Sequence, residues 1–472
     1  MSKFQGFDSA MDFQLKPLTF IFGPNASGKS SITRSLLLLR QSLTSDTSFF
    51  SSSLIGFAYD GPDVSLASFA NVVHRHDESS EMEISVRLDD IQQSLQRTSQ
   101  LVSVVRSVSI SYQIGMQPPF NGMSVSFEID GVDEGVNLEF KYDNRTLKLV
   151  KFHGLDQLSL LQSSIGRSLP FQLSEDDEVL ADLDFPPFGA MPPITGDDPG
   201  TWEELAESAN FRIKNNFPTM IGAPRRGDFD PAKTRLLDDL LATAKFSLIK
   251  HLREVRHVGP LRNISERLSY EAGLVEDDLE SGGSSVPGQS TERVVSDWLL
   301  ALTNGRYKFQ PVEFYAEPVR FLGSLKSQIL VDTASDTPVT FADVGVGLSQ
   351  VLPILQALQV RQRRASATTV LIEQPELHLH PAMQANLADL FADAVTSNPK
   401  LQIVAETHSE SMLLRLQKRM RDGKLDPNLV QILYVDQGPA GNQVTSIIPD
   451  VDDDFAVTMP LSFTKLRLED LL

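Results

Sequence analysis

The chain of 472 residues contains no cysteine, which excludes disulfides, thiolate metal ligands and a cysteine nucleophile. Any metal site must be built from oxygen or imidazole. No apolar run reaches the roughly 20 residues of a membrane span, and the N-terminus lacks an apolar signal-peptide core. A cytoplasmic protein with no membrane partner is expected. Positive charge is scarce too: 42 Lys and Arg stand against 62 Asp and Glu, a formal net charge of -20. Bulk repulsion of that sign opposes wholesale coating of nucleic acid unless cations are locally concentrated. Three local clusters exist, "RQRR" at 361–364, "KRMR" at 418–421 and Arg225 with Arg226. Each also reads as a solvated helix face or loop.

What is present is the balance of a globular protein, 41% hydrophobic and 22% charged, on a chain long enough for two or three lobes. Leu18 to Phe22 read as a strand, 23–28 as a glycine-bearing loop and the Leu-rich stretch to Leu43 as a helix. That is the first unit of a layered α/β domain. Between about 80 and 155, alternating runs such as "EMEISVRL", "VRSVSISYQI" and "MSVSFEID" predict antiparallel hairpins. Residues 174–200, with five prolines and no Lys or Arg, read as a loop or linker, and so does "EDDLESGGSSVPGQST" at 276–291. Helix-like spacing at 201–217 and 230–256 predicts an inserted helical arm. From 292 the α/β pattern resumes, with helices at 292–303, 347–364, 381–396 and 409–421. Strands are expected near 312–332 and at 368–373, 401–406 and 429–435. The expected divisions are 1–80 and 292–445 for the split nucleotide-type domain, 81–160 for a β lobe, 161–291 for the linker and helical insertion, and 446–472 for a C-terminal extension.

Gly23-Pro24-Asn25-Ala26-Ser27-Gly28-Lys29-Ser30 fits the P-loop pattern, with the strand before and the helix after that the motif requires. Glycines let the backbone wrap closely, so that the amides of Asn25, Ala26, Ser27 and Gly28 and the helix N-terminus face a phosphate. Lys29 would reach the β- and γ-phosphates, Ser30 would bind Mg2+ and Ser31 would help hold the α-phosphate. "TTVLIEQPELHLHP" has the form of a Walker B strand whose acid, Glu373, lies at the end of the strand where open α/β sheets bind ligands. Glu373 would therefore meet the Mg2+ shell. A transition-metal reading competes for His378, His380 and Glu376, because a His-x-His pair in a strand projects both rings to one face. Pro375 and Pro381, however, suggest a turn. "FADVGVGLSQVLPILQAL" is a glycine turn entering a helix, a second anion site. "IVAETHSESM" is a strand that ends in Glu406, Thr407 and His408, followed by Ser409 as a helix cap. His408 is the candidate γ-phosphate sensor.

This ordered set resembles the ABC-type ATPase head of the SMC, RecF and OLD families: "GPNASGKSS" as Walker A, "GVGLSQ" as a divergent signature motif, "LIEQP" as Walker B, "ELHLHP" as the D-loop and "ETHS" as the switch-histidine segment. It is most similar to stand-alone prokaryotic ATP-binding proteins of the OLD-like AAA group, which share "HVGPLR", "DVGVGLSQVLP", "EQPELHLHP" and the late "MPLSF". The resemblance covers about 1–77 and 255–472. It implies an α/β fold: a P-loop ABC-type ATPase head split by an inserted antiparallel β lobe and a helical arm. It also implies ATP and Mg2+ as cofactors and a homodimer or higher homo-oligomer formed by an ATP sandwich. In that sandwich Gly345, Gly347 and Ser349 of one copy would contact the γ-phosphate held by Lys29 of the other.

Where most such heads carry a catalytic glutamate this chain has Gln374, and an amide cannot accept water's proton at neutral pH. Either Glu376 or His408 takes part, phosphate-assisted hydrolysis suffices, or turnover is slow. The Q-loop residue is open between Gln41 and His74 with His76. Only 64 residues follow His408, so the Toprim nuclease of OLD relatives is expected to be absent or supplied by another polypeptide. Two functions follow. One is an ATP-dependent sensor or scaffold for a separate effector, a nuclease or toxin, as in the anti-phage systems Septu and PARIS. The other is a RecF- or SMC-like ATPase that clamps DNA.

Overall fold

The computed structural model describes residues 1–44, 57–89, 91, 104–116, 121–143, 146–159, 211–214, 217–220, 231–260, 262, 269–272, 289–314, 323–341, 343–359, 367–438, 441–447 and 449. The linker 174–200, residues 276–288, "RQRR", Arg225, Arg226 and "MPLSF" lie outside them, as does "PDVDDDF" apart from residue 449. Along the chain, β1 (Leu18–Phe22) enters α1 (Lys29–Thr44). Then come β2 (Met82–Asp89), β3 (Val105–Ile114), β4 (Gly122–Ile129), β5 (Val136–Asp143), β6 (Thr146–His153), β7 (Phe211–Lys214) and β8 (Phe217–Met220). Next are α2 (Pro231–Arg253), β9 (Val255–Val258), β10 (Ser269–Ala272), α3 (Gln289–Leu302), β11 (Tyr307–Phe314), β12 (Gly323–Asp332) and β13 (Thr337–Thr340). The last part holds α4 (Val346–Ala357), β14 (Thr368–Glu373), α5 (Pro381–Ser397), β15 (Leu401–Glu406), α6 (Glu410–Arg421), β16 (Val430–Gly438) and β17 (Gly441–Ile447).

Two compact units divide the chain. The first comprises Met1–Asp12, Ser31–Glu254 and Gln437–Gln443. Its seven strands run in sequence order from β2 to β8, and every pairing is antiparallel. In β3 the residues Val108, Ile110, Tyr112 and Ile114 are buried and alternate with half-buried Ser109, Ser111 and Gln113, the period-2 signature of a sheet with one dry face. The helix expected through 217 is corrected here: Phe211–Lys214 and Phe217–Met220 pair as a hairpin with Lys214 opposite Phe217. The expected helix at 230–256 ends at Arg253, and Val255 already belongs to β9.

The second unit comprises Phe13–Ser30, Val255–Asp436 and Val444–Leu472. Its main sheet has the order β17-β16-β1-β15-β14-β9, and β16, β1, β15, β14 and β9 are mutually parallel. Strands covered on both faces need continuous apolar runs, and all five residues of β1 and the first five of β14 are buried. The core around this sheet draws on α3, α4, α5 and α6 through Leu299, Leu352, Leu387, Phe391 and Leu416. Helix α3 begins at Gln289, inside the stretch expected to be flexible. Arg415 forms a two-pronged pair with Asp389, and Arg419 bridges Asp389 and Asp393, fastening α6 to α5. A smaller antiparallel sheet runs β10-β12-β11, with β13 on β12. Among the described residues no helix is long and apolar enough to cross a membrane.

Candidate functional site

The parallel order brings the ends of β1, β15 and β14 to one edge. Ile21 lies opposite Glu406, and Glu406 lies opposite Glu373. Ligands of such sheets bind at that edge.

Directly after β1, Gly23 has φ +151°, and a Cβ there would stand 2.2 Å from the Val435 carbonyl oxygen, so only hydrogen fits. Ala26 and Gly28 also take positive φ, 60° and 89°, which folds the loop around its own backbone. Asn25 and Ala26 are exposed, whereas Ser27 and Ser31 are buried. Lys29 Nζ donates to Gly23 O at 2.9 Å and to Pro24 O at 2.6 Å. Burial pushes the Lys29 pKa down, while the Glu406 and Glu376 carboxylates oppose that shift. A cation thus rests on the loop's own carbonyls. Ser27 Oγ is buried there without a hydrogen-bond partner, a polar atom that an anionic ligand could satisfy.

The carboxylate of Glu406 faces this loop. Ser30 Oγ donates to its Oε2 at 2.8 Å and its Oε1 at 3.1 Å, and Glu406 is buried. Ser30 is therefore partnered by Glu406, a residue that the sequence marked only as a strand end. Glu373 Oε1 is 3.0 Å from His257 Nε2, and because a carboxylate only accepts, the imidazole donates. Gln374 adopts φ 46° and its N–H donates to Glu406 O at 2.7 Å. The next acid, Glu376, accepts from Thr407 Oγ1 and from the His408 N–H, both at 2.7 Å. Both of its oxygens are engaged in bracing the turn after β15. His408 is exposed as a residue, and its pKa is lowered by partial burial and by the Lys29 cation, with Glu376 opposing. Its imidazole is neutral at neutral pH. Lys29, Ser30, Glu376, Glu406 and His408 form one cluster, with Glu373 and Gln374 on the adjoining strand end.

The donors Ser30 Oγ, Glu406 and Glu373 are hard oxygens, the set that Mg2+ takes when it keeps waters and phosphates in its remaining positions. The residues present fit that ion. The histidine pair points elsewhere: His380 Nδ1 accepts from the Ala382 N–H at 3.3 Å as the cap of α5, and exposed His378 sits at φ 64°. Among the described residues no group of three His, Asp or Glu side chains is arranged to hold a metal ion.

Gly345, at φ 99°, is the residue before α4. Gly347 lies against the turn after β14, where a Cβ would stand 2.4 Å from the His378 carbonyl oxygen. Ser349 departs from expectation: it is fully buried and its Oγ donates to Val346 O at 2.7 Å, so its hydroxyl serves its own helix. Ser409 caps α6 by accepting from the Met412 N–H. In the first unit Gln41 bonds the backbone of Ala58 and Val64. His74 and His76 bond the carbonyls of Gln5 and Ala70. Two further residues escaped the sequence reading, His257 and Arg262. Both lie within "HVGPLR", a phrase noted without a role for either side chain.

Comparison with family models gives two matches. One, described as "AAA domain", covers residues 1–215. The other, described as "AAA domain, putative AbiEii toxin, Type IV TA system", covers residues 199–414. They support a P-loop ATPase. Solved structures similar to the chain include the Smc head domain with an extended coiled coil bound to the C-terminal domain of ScpA from Pyrococcus furiosus. That match has 12% identity and a TM-score of 0.41, covering 100% of this chain and 97% of that one. The SMC head domain from Thermotoga maritima matches with 10% identity and a TM-score of 0.37, covering 94% and 95% respectively. A search of curated proteins finds no match.

Proposed function

We propose that the chain binds ATP with Mg2+ at the end of β1, hydrolyses it slowly, and acts as an ABC-type, nucleotide-dependent sensor or scaffold for a separate effector in anti-phage defence. The observation that carries the nucleotide site is the hydrogen bond of Ser30 Oγ to Glu406 beside the loop-caged Lys29 ammonium. Lys29 would exchange its two carbonyl partners for phosphate oxygens, and Ser30, Glu406 and Glu373 would hold the ion. Bound Mg2+ supplies positive charge against the phosphate oxygens. Gly345 and Gly347 would meet the nucleotide of a second copy, making ATP the link of a homodimer or higher oligomer.

Slow turnover follows from proton bookkeeping. Gln374 cannot accept water's proton, and Glu376 already accepts two hydrogen bonds. With Glu406 and Glu373 assigned to the ion, exposed His408 is the acceptor left in the cluster. Such a site suits a switch more than a motor. The DNA-clamping reading leans on "KRMR", where Lys418 and Arg421 are exposed while Arg419 is engaged by Asp389 and Asp393. Phosphate release by the purified chain, measured alone and with duplex DNA over a range of salt, tests both readings. Slow release indifferent to DNA supports the scaffold. Tight, steeply salt-dependent DNA binding would replace it with the clamp. No release in wild type or in Gln374→Glu would remove the enzyme.

A further inference from the structure

One segment touches both the carboxylate turn and the glycine-turn helix: β9 and its exit to Arg262. Arg256 Nη1 donates to Ala357 O at 2.8 Å and Gln359 O at 2.9 Å, closing the C-terminal end of α4. Arg262 Nη2 donates to Glu373 O at 2.6 Å and Gln374 O at 3.3 Å, and its Nη1 reaches Gln350 O at 3.3 Å. Gln350 Nε2 returns a bond to Arg262 O at 2.8 Å. Arg262 is only 8% exposed. Burying a guanidinium strips it of hydration, and its nearest bonds are to neutral carbonyls. A purely structural tie between carbonyls needs no charge. The carboxylates of Glu376 and Glu373 face this charge. The carbonyls it holds flank Gln374, whose φ of 46° is a strained conformation for a residue with a Cβ.

We propose that Arg262 is a positioning residue that makes the Glu373–Gln374 turn and helix α4 respond as one body, so that nucleotide at Lys29 and Ser30 sets the pose of Gly345 and Gly347. The inference rests on the ATPase reading above. Only a planar fork spans three carbonyls in two directions, and a lysine ammonium cannot reproduce it.

The test uses the full chain, hydrogen exchange with and without ATP and Mg2+, and steady-state phosphate release. In wild type, ATP is expected to slow exchange at both 23–31 and 345–352. In Arg262→Gln, protection should persist at 23–31 and vanish at 345–352, with kcat down about tenfold or more and KM within about twofold, the range seen when groups supporting a metal site are removed. Arg262→Lys should fall between. Arg256→Gln should loosen 355–359 while leaving the coupling intact. Wild-type coupling and kcat in Arg262→Gln overturn the inference, and so does the same loss of coupling in Arg256→Gln. If Arg262→Gln does not fold, Arg262→Lys decides, and full wild-type coupling there overturns it. Protection of 23–31 without 345–352 in wild type also overturns it. Absence of ATP protection at 23–31 in wild type contradicts the ATPase reading instead, before any variant is made.

Discussion

Two turns stand at the same edge of the parallel sheet, and they differ in how much of their bracing comes from elsewhere in the fold. The loop Gly23–Lys29 is braced from within: its lysine bonds its own carbonyls, and its path depends on positive φ at Gly23, Ala26 and Gly28. The turn Glu373–His380 has two bonds of its own, Leu377 N–H to Gln374 O and Leu379 N–H to Glu376 O, and is braced further from outside. Glu373 meets His257, Arg262 holds two carbonyls, Glu406 accepts the Gln374 N–H, and Glu376 ties down Thr407 and His408. A self-braced loop fails as a unit when one atom is misplaced. An externally braced turn loses function in steps, one partner at a time.

Breaking the first turn should therefore have the largest effect. Gly23→Ala sets a Cβ against the Val435 carbonyl. Overpacking and an unfavourable φ together cost about 3 kcal/mol, or more than about 100-fold in ATP affinity by titration. Next is Glu406→Gln, which removes the charged acceptor of Ser30. Loss of a charge-assisted hydrogen bond predicts roughly 2 kcal/mol, about 30-fold in kcat/KM for phosphate release; an unchanged rate would assign the ion to Glu373 alone. Glu376→Gln sets an amide N–H2 against either the His408 N–H or the Thr407 hydroxyl. About 1 kcal/mol and roughly fivefold in rate are expected, with faster hydrogen exchange at His408 as the direct check.

His408 sharpens the comparison through pH. Its folded pKa lies below the ordinary 6.5, so the unfolded chain takes up a proton first as pH falls. Its contribution to stability is complete above 6.5, declines as pH drops below that value, and levels off once the folded form also titrates. NMR titration of the ring should place its midpoint below 6.5, and a midpoint at or above it contradicts the partial burial and the Lys29 neighbourhood that lower it. The smallest effect belongs to the α5–α6 ion pairs. Arg415→Ala, with its side chain about a third exposed, should cost less than about 1 kcal/mol in denaturant unfolding and leave ATP turnover unchanged.

The same contrast explains what could be read from the sequence. The P-loop is local, so spacing alone located β1, the loop and α1, and the alternating runs located β2 to β6. Glu406 became a partner of Ser30 only because β15 lies between β1 and β14, and strand order is not written in any short stretch. Arg262 reaches across 111 residues to Glu373 O, again a property of topology. Ser349 has the residue type for an anion site but turns inward, since helical phase decides which side of α4 it occupies. The hairpin at 211–220 carried a legible signal that helical spacing obscured, the Asn215-Asn216 pair after the alternating run Phe211–Lys214.

Calorimetric titration of ATP with Mg2+ into the full chain and into Lys29→Ala probes the central claim most directly. The account predicts saturable binding in the wild type and its loss in the variant. Equal binding by both, or none by the wild type, would contradict it.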